Sequence, residues 1–225
     1  SATVYGIQES PLKEDFCIGQ NITNPYGQTK FMIEQILKDM CISNSKWTII
    51  SLRYFNPVGS HLSGLIGENP NDIPNNLMPY ILKVGVNNNT DFNLGKQYNT
   101  LNIFGNDYHT PDGTCQRDFI HVVDLAKAHL KSLEKINGLS GYNVFNLGTG
   151  QPTSVLEMVH VFEKINSIKI PYQFVDKRSG DLDICFCDPN YTTRILGWET
   201  QLTLEDMCKD SWNFQLLELD KMKLN

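Results

Sequence analysis

WTIISLRY, residues 47–54, is a near-continuous apolar run that is rich in β-branched side chains. Such runs are typical of parallel strands that are buried on both faces. Upstream, TNP at residues 23–25 offers a cap and a proline for the first turn of a helix, and apolar residues then recur at helical spacing to about Met40. The two segments predict a helix followed by a buried strand, which is the repeating unit of an α/β sheet.

Further segments on both sides of this unit alternate between strand-like and helix-like patterns. The predicted elements are a strand end at Ser1–Tyr5, a short helix at 76–86, strands at 102–105, 117–122, 142–147 and 172–175, and helices that begin at Asp124, Ser154, Pro189 and Thr203. The Asn-rich segment 87–97 is predicted to be a surface insertion. NLGTG at 146–150 lacks the third glycine of a dinucleotide fingerprint, so it is interpreted as a strand-to-helix turn. The alternation predicts an α/β protein with a largely parallel sheet.

Composition excludes several classes of protein. At 225 residues, 40% hydrophobic and 20% charged, the chain can bury a sizeable core. A formal net charge of −6 argues against a nucleic-acid surface. No run approaches about 18 apolar residues, which argues against a membrane span. The six cysteines have neither a disulfide framework nor metal-site spacing, which predicts free thiols, a cytoplasmic location and no metal.

Tyr26 and Lys30 form a Y-x-x-x-K pair on the predicted helix. Residues four apart share a helix face, so the Lys30 ammonium can lie beside the Tyr26 phenol. A free phenol is protonated at neutral pH, whereas a neighbouring cation favours the phenolate that base catalysis needs. A hydroxyl from Ser1 or Thr3 would bring a third group to the same substrate oxygen. The same spacing is common on surface helices, so an ordinary solvated helix face is the alternative.

Seven sequence blocks stand in an order that resembles one known family. The blocks are SATVYG (1–6), NPYGQTK (24–30), LRYFNPVG (52–59), NNLMPY (75–80), FGNDY (104–108), RDFIHV (117–122) and NLGTG (146–150). Together they look like the UDP-glucose 4-epimerases of the extended short-chain dehydrogenase/reductases. The resemblance implies the C-terminal part of an NAD-binding Rossmann fold at 1–58. It implies a smaller α/β substrate-binding domain at 59–225, from which some segments return to the Rossmann sheet. It also implies that the Gly-rich NAD-binding segment lies outside this sequence.

The resemblance also implies roles for single residues. Tyr26 would be the catalytic base, Lys30 would favour its phenolate and bind the nicotinamide ribose, Ser1 would hydrogen-bond the sugar hydroxyl, and Phe55 would contact NAD. The nucleotide-sugar site would contain Thr3, Asn56, Asn76, Leu77, Asn102 and Phe104, with Arg117 and Arg178 on the diphosphate, Asp181 on the uridine ribose and Cys185 beside the sugar. The guanidinium groups suit this role because their planar forks match phosphate oxygens.

The activity implied is NAD-dependent interconversion of UDP-glucose and UDP-galactose by transient oxidation at C4, in a cytoplasmic homodimer that binds a UDP-hexose. Cys185 stands where the family has either a bulky tyrosine or a small residue. A small side chain here leaves room that a phenol would fill, so N-acetylated UDP-hexosamines are also expected as substrates.

Other functions and purely structural interpretations remain open at this point. A 4,6-dehydratase of the same family needs an acid and a base beside Thr3, where this chain has Ala2 and Val4. A decarboxylase and a non-catalytic nucleotide-sugar sensor are the further alternatives. The structural interpretations are a local ion pair of Arg117 with Asp118 or Asp124, a solvated turn at 178–181, cap or turn positions at Asn56 and Asn76, and buried side chains at Cys185 and His121.

Overall fold

Helices and strands alternate along residues 1–224, the part of the chain that the computed structural model describes. The helices are α1 (Pro25–Ser43), α2 (Leu77–Asn89), α3 (Val122–Lys135), α4 (Val155–Asn166), α5 (Asn190–Leu196) and α6 (Leu204–Leu224). The strands are β1 (Thr48–Tyr54), β2 (Asn56–Val58), β3 (Leu101–Phe104), β4 (Gln116–His121), β5 (Gly141–Leu147), β6 (Pro152–Ser154), β7 (Tyr172–Val175) and β8 (Ile184–Cys185). Short 3₁₀ helices occupy Ala2–Tyr5, Lys96–Tyr98 and Ile136–Gly138.

Parallel pairing dominates the sheets, as the sequence predicts. The strand β1 pairs with β5 along its whole length, from Thr48 opposite Gly141 to Tyr54 opposite Leu147. The strand β4 is parallel to β2 and β8 and antiparallel to β6, and β3 is parallel to β7. The α/β fold class is therefore confirmed.

Three clusters of buried side chains hold these elements together. The C-terminal core lies among α2, α4 and α6 and is built from residues such as Ile81, Val84, Ile103, Phe162, Met207 and Trp212. The β1–β5 core contains Ile120, Leu125, Ala128, Phe145, Leu147, Leu196 and Trp198. The N-terminal core contains Val4, Tyr5, Leu12, Phe55 and Cys187. Full burial of a large apolar side chain contributes about 1.5–3 kcal/mol, so each cluster fixes its elements firmly.

Residues 2–5 form a 3₁₀ helix with Ser1 as its cap, so the strand end predicted at Ser1–Tyr5 is wrong. Thr3 and Val4 are β-branched and favour a strand by propensity, but Ser1 caps the turn by accepting the Thr3 N–H at 3.4 Å. Gly6 follows with φ 63°, a conformation that glycine adopts without strain. The local turn hydrogen bonds therefore override the strand propensity.

The start of the Asn-rich segment also differs from the prediction, because residues 87–89 are the end of α2 and not part of an irregular insertion. The helix continues to Asn89, and the amides of its last two asparagines bond to backbone carbonyls of the helix and of the chain after α4. Asn88 Nδ2 donates to Val84 O at 2.9 Å, and Asn89 Nδ2 donates to Lys169 O at 2.9 Å. The asparagines thus stabilise the end of the helix and its junction with the chain after α4.

His121, and not Asp124, caps α3. His121 is buried, and its Nδ1 accepts the Val123 N–H at 3.1 Å. Asp124 is buried inside the first turn, where its Oδ2 accepts the backbone N–H groups of Gln201 and Leu202 at 2.7 and 2.8 Å. Asp124 therefore joins α3 to the chain between α5 and α6.

Protonation of His121 is expected to destabilise the fold at mildly acidic pH. Burial lowers its pKa from the ordinary value, and this outweighs the attraction of Asp210, Asp124 and Asp206. The unfolded chain therefore binds the proton more tightly, so the stability from neutral His121 is present above pH about 6.5 and lost as pH falls. The substitution His121→Asn keeps a capping oxygen. In this variant the free energy of unfolding, measured in urea, should depend less steeply on pH between 8 and 5. Parallel pH curves for the two proteins would contradict this.

No helix among the described residues is both long and apolar enough to cross a membrane. Within the same residues, no group of His, Cys, Asp and Glu side chains is arranged to hold a metal ion.

Candidate active site

Helix α1 presents Tyr26 and Lys30 on one face, as their spacing predicts. Asn24 caps the helix by accepting the Gly27 N–H at 2.7 Å, and Pro25 occupies the first turn. The Lys30 ammonium lies 5.4 Å from the centroid of the Tyr26 ring, and the Tyr26 side chain is 56% exposed. The helix therefore places a cation beside a solvent-accessible phenol.

The hydroxyls of Ser1 and Thr3 lie on the segment that packs against the first turn of α1. The Thr3 hydroxyl donates to Ser1 Oγ at 3.0 Å. A Cβ added at Gly27 would lie 2.6 Å from Ile22 Cγ2 and 3.3 Å from the Thr3 carbonyl oxygen, so only glycine allows this close approach. The structure thereby places the Ser1–Thr3 hydroxyl pair and the start of α1 side by side.

Arg117 and Asp181 form one end of a second group of predicted site residues. Arg117 NH1 donates to the carbonyls of Gln116 and Leu182 at 2.8 and 2.7 Å, and NH2 donates to Asp181 Oδ1 at 3.4 Å. The arginine is thus held in place without Asp118, which the sequence offered as a local partner.

Phe104 and Arg178 belong to the same group. The Arg178 guanidinium carbon lies 3.9 Å from the centroid of the Phe104 ring, which is a close cation–π contact. Asn102 is two residues before Phe104 on β3, and its Oδ1 accepts a hydrogen bond from Gln173 on β7 at 2.8 Å. Parallel pairing of β3 with β7 brings the aromatic ring and the arginine together, although they are far apart in sequence.

Cys185 lies between the two groups. On β8 it is paired directly with Arg117 of β4, and its half-buried side chain packs against the N-terminal core together with Ala2. Burial raises the pKa of its thiol, so the side chain is a small neutral group. The backbone of Leu12 fixes β8 to the N-terminal segment through a hydrogen bond to Phe186 O at 2.9 Å. The pairing therefore places Arg117 beside a strand that contacts the N-terminal core.

Four other predicted residues have roles in the fold. Phe55 is only 7% exposed, because its ring packs in the N-terminal core. Asn56 pairs with Phe119 in the β2–β4 ladder. Asn76 precedes α2 without a side-chain capping bond and donates to Glu68 Oε1 at 3.1 Å, and Leu77 packs on the C-terminal core.

A buried ion pair beside the site was missed from the sequence. Arg53 Nε and NH2 donate to the two carboxylate oxygens of Glu34 at 3.1 and 2.7 Å, and Arg53 NH1 donates to the Tyr5 hydroxyl at 2.8 Å. Burial alone would lower the pKa of Arg53, but the hydrogen bonds and the nearby charge raise it. One signal could have found the pair: a single arginine in the apolar run at 47–54 needs a buried partner.

Asp118 was also missed in its actual role. This fully buried carboxylate accepts the N–H groups of Thr149, Gly150 and Cys187 at 2.7, 3.0 and 3.2 Å. It therefore shapes the NLGTG turn, which leads from β5 into the short strand β6 and not directly into a helix.

The family follows from a comparison with known sequence families. The model of the NAD dependent epimerase/dehydratase family matches residues 1–148. The chain belongs to this family. Its similarity to individual members of the epimerase/dehydratase family extends beyond the matched residues, to 96% of the chain.

Relatives of the chain in the epimerase/dehydratase family include UDP-glucose 4-epimerases. The chain is 55% identical to the UDP-glucose 4-epimerase of Bacillus subtilis over 216 residues, which are 96% of this chain and 60% of that protein. It is 48% identical to the UDP-glucose 4-epimerase of Homo sapiens over 96% of this chain and 59% of that protein. The chain thus spans about three fifths of the length of these relatives.

Solved structures of family members have the same fold. The UDP-glucose 4-epimerase of Bifidobacterium longum, in complex with NAD⁺ and UDP, is 45% identical with a TM-score of 0.88. The enzyme from Stenotrophomonas maltophila, with bound NAD and formylated UDP-arabinopyranose, is 40% identical with a TM-score of 0.90. In both comparisons 98% of this chain and 63% of the other are covered.

Proposed function

We propose that this chain is the larger part of an NAD-dependent UDP-glucose 4-epimerase, which interconverts UDP-glucose and UDP-galactose by transient oxidation at C4. The observation that carries the proposal is the Tyr26–Lys30 pair at the capped start of α1, adjacent to the Ser1 and Thr3 hydroxyls. The 55% identity to the Bacillus subtilis epimerase supports the same activity.

The residues present fit the part of an NAD site that this chain would supply. Across residues 1–224, neither the Tyr26 hydroxyl nor the Lys30 ammonium has a hydrogen bond or ion pair within the chain, so both remain available to a ligand. When bound, NAD would supply the hydride acceptor for C4 as NAD⁺ and the hydride donor as NADH. Lys30 would bind the nicotinamide ribose together with Tyr26 and Ser1, and Phe55 would contact NAD only through the 7% of the residue that is exposed.

Tyr26 and Lys30 handle the proton in this proposal. Tyr26 acts as the general base that accepts the proton of the sugar 4-hydroxyl and later returns it, with the Lys30 ammonium beside its ring. Ser1 hydrogen-bonds the same sugar oxygen, and Thr3 lies beside it. The chain therefore supplies a base, its cation and an orienting hydroxyl from two adjoining segments.

The second group of residues holds the nucleotide. Arg117 and Arg178 bind the diphosphate, because guanidinium groups match phosphate oxygens. Asp181 accepts from the uridine ribose, and Phe104 packs beside the uracil. Four residues complete the lining of this site: Asn56, Asn76, Leu77 and Asn102. The nucleotide is held firmly, so the loosely held sugar can turn and present its other face to the cofactor.

The size of the Cys185 side chain determines how much space is left beside the sugar in this proposal. The side chain is small, neutral and half-buried, and it lies between Arg117 and the Ser1 turn. N-acetylated UDP-hexosamines are therefore also substrates in this proposal.

Domain organisation, assembly and location follow the same family. Residues 1–58 belong to the Rossmann domain and 59–225 mainly to the nucleotide-sugar domain, which agrees with the separate C-terminal core. The exposed apolar residues Met32, Ile36 and Ile42 of α1, at 59, 59 and 74% exposure, support a homodimer through this helix. The unpaired thiols support a cytoplasmic location.

A 4,6-dehydratase is the second candidate, and the surroundings of Thr3 argue against it. Elimination needs an acid and a base beside this threonine. Val4 is fully buried in the N-terminal core and Ala2 packs on it, so neither position offers a carboxylate.

The test is turnover of UDP-galactose by the holoenzyme, meaning this chain together with an amino-terminal NAD-binding segment such as that of the Bacillus subtilis relative. Proton NMR should show UDP-glucose accumulating to equilibrium. A 4-keto-6-deoxy product would identify a dehydratase, and UDP-galactose binding without turnover would identify a sensor.

A further inference from the structure

A single guanidinium joins three elements beneath the candidate active site. Arg53 on β1 is 3% exposed, and its side chain reaches Glu34 on α1 and Tyr5 on the 3₁₀ helix Ala2–Tyr5. All three side chains are buried, since Glu34 is 5% and Tyr5 0% exposed. Burying a charged pair is expensive, so its persistence in the core calls for a role beyond stability.

Glu34 fixes the rotation of α1. Tyr26, Lys30 and Glu34 are spaced by four residues, so they lie along one stripe of the helix. Two parallel hydrogen bonds of 3.1 and 2.7 Å hold the Glu34 carboxylate in the plane of the Arg53 guanidinium. A helix held at one point of a stripe in this bidentate geometry cannot rotate freely about its axis. The direction of Tyr26 and Lys30 is therefore set from below.

Tyr5 fixes the hydroxyl segment in the same way. Its hydroxyl accepts from Arg53 NH1 at 2.8 Å and donates to Asn146 Oδ1 at 2.7 Å. Burial raises the pKa of Tyr5 to about 12, so the hydroxyl keeps the proton that it donates. Tyr5 is two residues from Thr3 on the same turn, so the position of the Ser1–Thr3 hydroxyls depends on this contact.

We infer that Arg53 is a positioning residue. It holds the Ser1–Thr3 turn and the Tyr26–Lys30 helix in one fixed relative position, or register. The effect of Arg53 on catalysis rests on the proposed function. Its effect on the register does not depend on that function. Only a forked, planar cation can grip the Glu34 carboxylate with two nitrogens and reach the Tyr5 hydroxyl with a third. Lysine keeps the charge but cannot make all of these bonds at once.

The test compares Arg53→Lys and Tyr5→Phe with a matched control in the holoenzyme. Asp124→Asn is the control, because Asp124 is equally buried and joins α3 to the chain before α6, away from the residues assigned to catalysis. Hydrogen–deuterium exchange measures how firmly the two segments are held, and it does not require an active enzyme. Amides of residues 3–6 and 27–30 should exchange at least about tenfold faster in the two test variants, and not in the control.

Kinetics give the second readout. A misplacement of about 1 Å can cost on the order of 100-fold, so kcat should fall by about that factor in Arg53→Lys and less in Tyr5→Phe. The KM for UDP-galactose should change by less than about threefold, because the nucleotide is bound by other elements. Asp124→Asn should lower the melting temperature while kcat stays within about twofold.

The outcomes separate the two claims. An inactive wild type would overturn the proposed function, and exchange would still decide the register. Unchanged exchange at 3–6 and 27–30, or an unchanged kcat in both test variants of an active enzyme, would overturn the positioning role. The same conclusion would follow if the control lost kcat as strongly as the test variants. If Arg53→Lys does not fold, Tyr5→Phe decides, because it keeps the ring in the core and removes only the hydroxyl.

Discussion

Tyr26→Phe in the holoenzyme is expected to lower kcat by a factor of about 10³ or more, because general-base catalysis of this kind contributes about 10²–10⁴. The substitution removes only the oxygen that would exchange a proton with the sugar in the proposed mechanism, and the ring stays beside Lys30. UDP binding, measured by calorimetry, should change by less than about threefold, since Arg117 and Arg178 lie on other elements.

A second tyrosine provides the control for this experiment. Tyr191 on α5 is 40% exposed, and Tyr191→Phe should leave kcat within about twofold of the wild type. Activity near the wild-type level in Tyr26→Phe would remove the base from the mechanism. A large loss of UDP binding in that variant would show that Tyr26 serves the nucleotide and not the proton.

Cys185→Tyr is expected to lower kcat/KM for N-acetylated UDP-hexosamines by about 100-fold, because filling a pocket discriminates between substrates on about this scale. The phenol would extend from Cys185, which is paired with Arg117 and packs on the N-terminal core, into the region proposed for the sugar. Turnover of UDP-galactose, which has no acetamido group, should remain within about threefold of the wild type. Rates for the two substrates, measured in the same preparation, make the comparison independent of enzyme concentration.

Cys185→Ala is the size control, because it removes the thiol without filling the space. Both substrates should be turned over at nearly the wild-type rate in this variant. If Cys185→Tyr leaves the hexosamine rate unchanged, the specificity role is wrong. A parallel loss of both rates would instead indicate damage to the β4–β8 pairing.

Local patterns were enough to predict the helix of Tyr26 and the strand of Arg53. The Asn-Pro start of α1 and the apolar run at 47–54 each carry their signal within a few residues, and both are found where expected. The strand predicted at Ser1–Tyr5 is wrong. Two β-branched residues favour a strand by propensity, whereas the hydrogen bonds of the capped turn decide the structure.

Contacts between distant segments could not be predicted from local patterns. Arg117 has two carboxylates nearby in sequence, but its actual partner, Asp181, is 64 positions away. Parallel pairing of β4 with β8 brings the two residues together. The pairing of Arg53 with Glu34 likewise cannot be predicted from local sequence, because it depends on the packing of α1 on β1. The family resemblance supplied what periodicity could not, namely which polar residues would assemble at one site.

The fate of the hydrogen on C4 tests the central claim most directly. The holoenzyme is given UDP-galactose that carries deuterium at C4, and the UDP-glucose formed is analysed by NMR and mass spectrometry. The proposed oxidation at C4, with return of the same hydrogen to the opposite face, predicts that the deuterium remains at C4 of UDP-glucose. Loss of the deuterium to water, or its appearance at another carbon, would contradict this mechanism.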